Sequence, residues 1–264
     1  MIAAATASAA AATAAPAAAS AAVLFDMDGV IILSNQAHLA AWQAFARERL
    51  GLEITAEMFY GAISGRKNEE ALAELFPGRF TPEQIQRISA EKEAFYRERF
   101  GPQLKPVPGI LELIAELRAL RTSDGMPPVR LALATSGPPE NAEFTIRKFN
   151  LEDAFDAVVT GKDVTRAKPD PTIYLKAAEL VGVEPYRCVV LEDAAAGVTA
   201  AKRAGMRCLA VATSEPPERL LAAGADEVRP DFTSVNWNML KQLLGLAGKA
   251  EKAEVETAEG CGCG

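Results

Sequence analysis

Four carboxylates, two hydroxyls and one lysine stand in this chain where chemistry can gather. Asp26 and Asp28 share the segment Phe25-Asp26-Met27-Asp28-Gly29. Thr135 and Ser136 close the apolar run Val129–Thr135, Lys168 precedes Pro169, and Glu192 and Asp193 close the run Cys188–Glu192. An aspartate at the end of a strand is ordinarily a turn or cap residue, and each position alone is unremarkable. The set is harder to explain as turns. Carboxylates crowded together repel, and some of them protonate. With Asp28 protonated as an acid, the charges of Asp26, Glu192 and Asp193 are offset by one divalent cation and Lys168. Asp26 then stays ionised and nucleophilic. A hard cation with oxygen ligands suits Mg2+. Metal and lysine together screen a phosphate dianion from an attacking carboxylate, so the chemistry indicated is phosphoryl transfer.

These residues converge only if the elements before them are neighbours. The runs Ala22–Phe25, Val129–Thr135, Phe155–Thr160, Cys188–Glu192 and Arg207–Val211 are β-rich and several are continuously apolar, as strands covered on both faces are. Helical spacing fills Glu140–Phe149, Pro171–Val181, Ala195–Ala204 and Pro217–Ala223. Strand-helix alternation predicts an α/β fold: a parallel, Rossmann-like sheet with helices on both sides. Ligands bind such sheets beyond the carboxyl ends of the strands, where the residues above fall. About a hundred residues between the first two runs break the pattern and read as helices: Gln36–Leu50, Ala56–Ala62, Asn68–Phe76 and Pro82–Phe100. The interval is too long for a loop. It predicts a helical cap domain over 34–105, inserted into a core of 22–33 and 106–249. Lys105-Pro106-Val107-Pro108-Gly109 marks the return, before a helix over Ile110–Leu120.

The residues resemble the haloacid dehalogenase-like superfamily. Its four motifs read here as Asp26-Met27-Asp28-Gly29-Val30, Leu133-Ala134-Thr135-Ser136, Lys168-Pro169-Asp170-Pro171 and Leu191-Glu192-Asp193-Ala194-Ala195-Ala196-Gly197. The match runs in order from about residue 22 to about residue 235, and the helical interval resembles the family's small cap. The resemblance implies that Asp26 attacks phosphorus and becomes an aspartyl phosphate, and that Asp28 is acid and then base. It implies Mg2+ on Asp26, the Asp28 carbonyl, Glu192 and Asp193, with Thr135, Ser136 and backbone amides on the phosphoryl group. Lys168 balances the charge.

Transfer to water makes a phosphatase, and transfer to a sugar hydroxyl makes a phosphomutase. His38 and Trp42 look like the β-phosphoglucomutase branch, and Ser34 matches a linker hydroxyl there. His38, the only histidine, either positions the acid Asp28 or is a helix residue at the cap–core seam; Trp42 reads as cap core. Arg66, with Lys67, is a candidate for a second anionic group on the substrate, or part of a solvated helix face. The mutase branch has a lysine where this chain has Ala62, and of its polar residues after the second motif only Asn141 has a counterpart. The preferred reading is Mg2+-dependent hydrolysis of a small phosphomonoester such as a sugar phosphate. Mutase-like isomerisation comes second, and a binding module that kept the motifs third.

Bulk properties agree. The chain of 264 residues carries a net charge of −7, which opposes non-specific nucleic-acid binding. Residues 1–21 are Ala-rich without charge, and residues 250–264 are acidic; both read as disordered tails. No run outside the weak Ala tract suggests a membrane span. Cys188 and Cys208 lie in apolar runs, and Cys261 and Cys263 end the chain; none suggests a disulfide framework, so a reducing cytoplasm is the expectation. The expected partner is a small phosphorylated metabolite, and the expected state a monomer or small homo-oligomer.

Overall fold

The computed structural model describes residues 21–64, 66–120 and 129–246. Nearly all of the two tails, with Cys261 and Cys263, lies outside the described residues.

The apolar runs form one sheet of strands β1 (Ala21–Phe25), β2 (Val129–Ala134), β3 (Ala157–Val159), β4 (Cys188–Glu192), β5 (Arg207–Val211) and β6 (Glu227–Arg229). Their order is β3-β2-β1-β4-β5-β6, and every pairing is parallel. β1 shows why its sequence is continuously apolar. Ala21, Val23 and Phe25 point into one hydrophobic cluster, and Ala22 and Leu24 into a second on the other face. The strand order reverses at β1, which has β2 on one side and β4 on the other. The crevice beyond these three strand ends is where a doubly wound sheet holds its ligand.

Over residues 35–99 the described chain is mainly helical. The helices are α1 (Asn35–Phe45), continued through Leu50; α2 (Ala56–Met58), continued through Ile63; α3 (Asn68–Leu75); and α4 (Pro82–Arg99). Trp42, Phe45, Ile54, Phe59, Leu72 and Ile88 pack into a third cluster, separate from the two that flank the sheet. That is where Trp42 was expected. The start of α4 follows from its sequence. Thr81 Oγ1 accepts from the Gln84 amide at 3.3 Å, Gln84 Oε1 accepts from the Thr81 amide at 2.8 Å, and Pro82 opens the first turn.

The remaining helices are α5 (Ile110–Ala119), α6 (Pro139–Lys148), α7 (Thr172–Val181), α8 (Ala195–Arg203), α9 (Pro217–Ala222) and α10 (Trp237–Leu243). Two elements were not read from the sequence. β6 is three residues with one apolar side chain, too short for periodicity to register, and it is an edge strand paired only to β5. α10 starts at Asn236, whose side chain caps the Met239 amide, and buries Trp237 and Leu240. Among the described residues no helix is long and apolar enough to cross a membrane.

Candidate active site

Asp26 ends β1, and its amide donates to the Leu191 carbonyl of β4. Lys168 arrives from the loop before α7 and bridges the two strand ends: its Nζ donates to Asp26 Oδ1 at 2.6 Å and to Glu192 Oε1 at 2.8 Å. Glu192 is fully engaged. Tyr174 Oη donates to Oε1 at 2.6 Å, and the amides of Asp193 and Ala194 donate to Oε2 at 2.8 and 3.0 Å. A Cβ on Gly197 would overlap Glu192 Oε1, so any larger residue at the first turn of α8 displaces that carboxylate. Asp193 is held by Ser214 Oγ and, more loosely, by Asn35 Nδ2 at 3.4 Å. Gly29 has φ of +78°, and a Cβ there would overlap Asp193 Oδ2.

Asp26, Glu192 and Asp193 are buried, and one oxygen from each lies within 4.8 Å of the others. Lys168 alone sets one positive charge among them. Burial pushes the Asp26 carboxyl up to about 7 against the pull of Lys168, with Glu192 and Asp28 adding repulsion. Burial, then repulsion from Glu192 and Asp26, raises Asp193 well above the usual carboxylate range. Glu192 is the exception: burial opposes its charge, but Lys168 holds it low. A set of hard oxygens with unbalanced negative charge fits a divalent cation. Asp26 and Asp193 have oxygens to offer it, whereas both Glu192 oxygens are already occupied by hydrogen bonds.

Asp28 belongs to a different network. Ser34 Oγ donates to Asp28 Oδ1 at 2.6 Å, and His38 Nε2 stands 3.3 Å from the same oxygen. Lys92 Nζ approaches His38 Nδ1 at 2.9 Å. An ammonium has only protons to give, so Nδ1 accepts and Nε2 carries the proton toward Asp28. The imidazole stacks on Tyr96 with ring centroids 3.8 Å apart, and Lys92 lies over the rings of Trp42 and Tyr96. Glu93 accepts from Lys92 and from Asn68, each at 2.7 Å. Burial opposes the Glu93 charge, but Lys92 brings its carboxyl down to about 2. Burial also opposes the Asp28 charge, yet the His38 and Ser34 hydrogen bonds outweigh it and keep this carboxyl low. The charge count made from the sequence protonated Asp28; in this arrangement the group accepts hydrogen bonds in its ionised form.

Thr135 is buried, and its Oγ1 accepts from the Gly137 amide at 3.0 Å, leaving the hydroxyl proton to donate. Ser136 lines the same cavity, of about 1040 Å³, as Asp26, Asp28, Thr135 and Lys168. Asn141 is drawn into the seam: its Nδ2 donates to Glu93 Oε2 and its Oδ1 accepts from Arg97 Nη1, both at 2.7 Å. Arg66 also lines the cavity, but its Nη1 donates to Glu74 at 2.6 Å and approaches the Ala62 carbonyl at 3.4 Å. Lys67 Nζ donates to the Val164 carbonyl at 2.8 Å. Tyr174, Ser214, Asn35, Lys92, Glu93 and Arg97 were not picked out from the sequence. A buried polar residue inside an apolar helix was a usable signal for Tyr174; nothing local marks Asn35 or Ser214, which are distant in sequence.

The family model for haloacid dehalogenase-like hydrolase matches residues 21–205, and the chain belongs to that family. The chain is 34% identical over 214 residues to validoxylamine A 7'-phosphate phosphatase of Streptomyces hygroscopicus subsp. limoneus, covering 81% of this chain and 95% of that protein. It is 32% identical over 203 residues to β-phosphoglucomutase of Bacillus subtilis, covering 74% of this chain and 84% of that one. Its fold matches the crystal structure of a family IA, variant 3 hydrolase from Entamoeba histolytica with a TM-score of 0.74 and 26% identity, over 85% of this chain and 99% of that one. The protein is thus an enzyme of the phosphatase type within this family.

Proposed function

We propose that the protein hydrolyses a small phosphomonoester, such as a sugar phosphate, through an aspartyl phosphate on Asp26 and with Mg2+. The observation that carries the reading is the pairing at Asp26. One oxygen is bound by Lys168 while a second carboxylate, Asp28, stands across the same cavity. The free oxygen of Asp26 forms the bond to phosphorus as the bond to the leaving oxygen breaks. Asp28, ionised at rest, takes up one proton with the incoming phosphate monoanion and gives it to the leaving alcohol. In the second half Asp28 takes a proton from water, the water oxygen bonds to phosphorus, and the bond to Asp26 breaks. The proton spent on the alcohol is recovered, so Asp28 is restored at each turnover.

We assign Asp26, Asp193 and the Asp28 carbonyl as ligands of Mg2+, with Glu192 behind them holding Lys168. The ion would supply charge stabilisation for the transferring group. Thr135 and Ser136 take phosphoryl oxygens. The helices of residues 34–105 serve as the cap that covers the site and excludes bulk water.

The state of Arg66 supports hydrolysis over the mutase reading. A mutase cycle holds a second phosphate, and the two cations read from the sequence for it, Arg66 and Lys67, pair with Glu74 and the Val164 carbonyl. The contact of His38 with Asp28 is what favours the mutase. A phosphate-release screen over sugar phosphates that includes β-glucose 1-phosphate, with glucose 6-phosphate followed in parallel, separates the two. Free phosphate without glucose 6-phosphate supports hydrolysis, and glucose 6-phosphate without free phosphate overturns it. Asp26→Asn is expected to abolish turnover in either case.

A further inference from the structure

On α4 two buried polar atoms have no partner among the described residues, Ser89 Oγ and Tyr96 Oη, and of the two only Ser89 lines the cavity. Lys92 is bound to His38 and Glu93, and Glu93 to Lys92, Asn68 and Asn141. Arg97, half-buried, is bound to Asn141. Ser89 is the exception. It lines the cavity and is 4% exposed, and its Oγ has no hydrogen-bond partner among the described residues. A helical serine ordinarily settles its hydroxyl on the carbonyl four residues back. Ser89 forms no such bond, and a buried hydroxyl left unpaired is costly to folding.

We propose that Ser89 is a specificity contact, binding a neutral hydroxyl of the alcohol half of the substrate. This rests on the hydrolase reading and adds the substrate class: a phosphate ester of a polyol. Three observations fit. The Ser89 hydroxyl can donate and accept, as a polyol hydroxyl does, and the α4 cations that line the cavity, Lys92 and Arg97, are bound to His38, Glu93 and Asn141, as Arg66 and Lys67 are to Glu74 and the Val164 carbonyl. Ser89 precedes Lys92 by one helical turn, on the same wall as the Lys92–His38–Asp28 chain, and Asp28 protonates the leaving oxygen. The alcohol half therefore lies between Asp28 and this wall. The cavity of about 1040 Å³ also has room for a sugar-sized group beyond the phosphate.

The test uses the full chain with Mg2+ and a panel of glucose 6-phosphate, β-glucose 1-phosphate, sorbitol 6-phosphate and glycerol 1-phosphate, with p-nitrophenyl phosphate as an ester lacking hydroxyls. The fastest polyol ester is then compared with its monodeoxy analogues. In the wild type, one deoxy analogue is expected to lose about tenfold in kcat/KM. Ser89→Ala is expected to lower the parent by a similar factor and to erase the discrimination against that one analogue. Alanine favours a helix, so α4 survives the change; Ser89→Thr, which restores a hydroxyl, is expected to recover discrimination. Equal effects of Ser89→Ala on parent and analogue, or none on either, overturn the proposal, as does turnover of p-nitrophenyl phosphate without any polyol ester. Failure to release phosphate from every ester, p-nitrophenyl phosphate included, overturns the hydrolase reading and this proposal with it.

Discussion

Lys168 is the residue on which the charge balance of the site turns. It is buried between Asp26 and Glu192, and removing one partner from a buried ion network leaves the others uncompensated, at a cost of about 3 kcal/mol or more. Lys168→Ala is expected to lose stability by that order in urea unfolding at pH 8. At pH 5 the loss shrinks, because Asp26, raised to about 7 even with the lysine present, is then protonated. Gly197 gives a steric prediction. Gly197→Ala puts a methyl against Glu192 Oε1, and displacing that carboxylate misplaces Lys168. Turnover is expected to fall by about a hundredfold, the scale of an ångström-level displacement at a catalytic group; steady-state phosphate release measures it.

At the scale of elements, α4 joins the helical interval to the sheet. Its residues reach His38 and through it Asp28 on one side, and Asn141 at the start of α6 on the other. α6 follows the loop of Thr135 and Ser136, so α4 connects through His38 to Asp28 and through Asn141 to the helix after that loop. Glu93→Ala removes the partner of the buried Lys92 and the acceptor of Asn141. It is expected to destabilise the protein by about 3 kcal/mol in a thermal melt and, with Asp28 in its proposed acid–base role, to shift the pH–rate profile. Thr81→Ala breaks only the capping box and costs about 1 kcal/mol without moving that profile. The pair of variants separates loss of the network from simple loss of the helix. The helices of this interval were legible in the sequence because caps and helical spacing are local; their contacts with Asn141 were not, because they join residues far apart in the chain.

The whole molecule feels the buried carboxylates through its pH dependence. The folded Asp26 carboxyl titrates near 7 and the unfolded one near 3.8. A group raised on folding is easier to ionise in the unfolded chain. The metal-free protein therefore loses stability as pH climbs from about 4 to about 7, by a few kcal/mol. A divalent cation favours the ionised form and reverses this. The melting temperature with EDTA is expected to fall between pH 5 and pH 8, and the gain from Mg2+ to be larger at pH 8 than at pH 5. An equal gain at both pH values would argue against the carboxylate site.

The parallel sheet, the helices between its first two strands and the meeting of Asp26, Asp28, Thr135, Lys168, Glu192 and Asp193 at one cavity were legible in the sequence, because all of these are written in local patterns: apolar runs, caps and short motifs at strand ends. The short edge strand β6 and the helix α10 escaped because their stability comes from packing, not from a periodicity of their own. What only the tertiary structure decided was how hydrogen bonds are shared. Glu192 is saturated by Lys168, Tyr174 and two amides, Arg66 pairs through one nitrogen with Glu74, and Asp28 accepts from Ser34 with His38 beside it. Spacing along a chain says which groups meet. Which of them have a lone pair or a proton left for a ligand depends on every neighbour within about 3 Å, and folding alone supplies those neighbours.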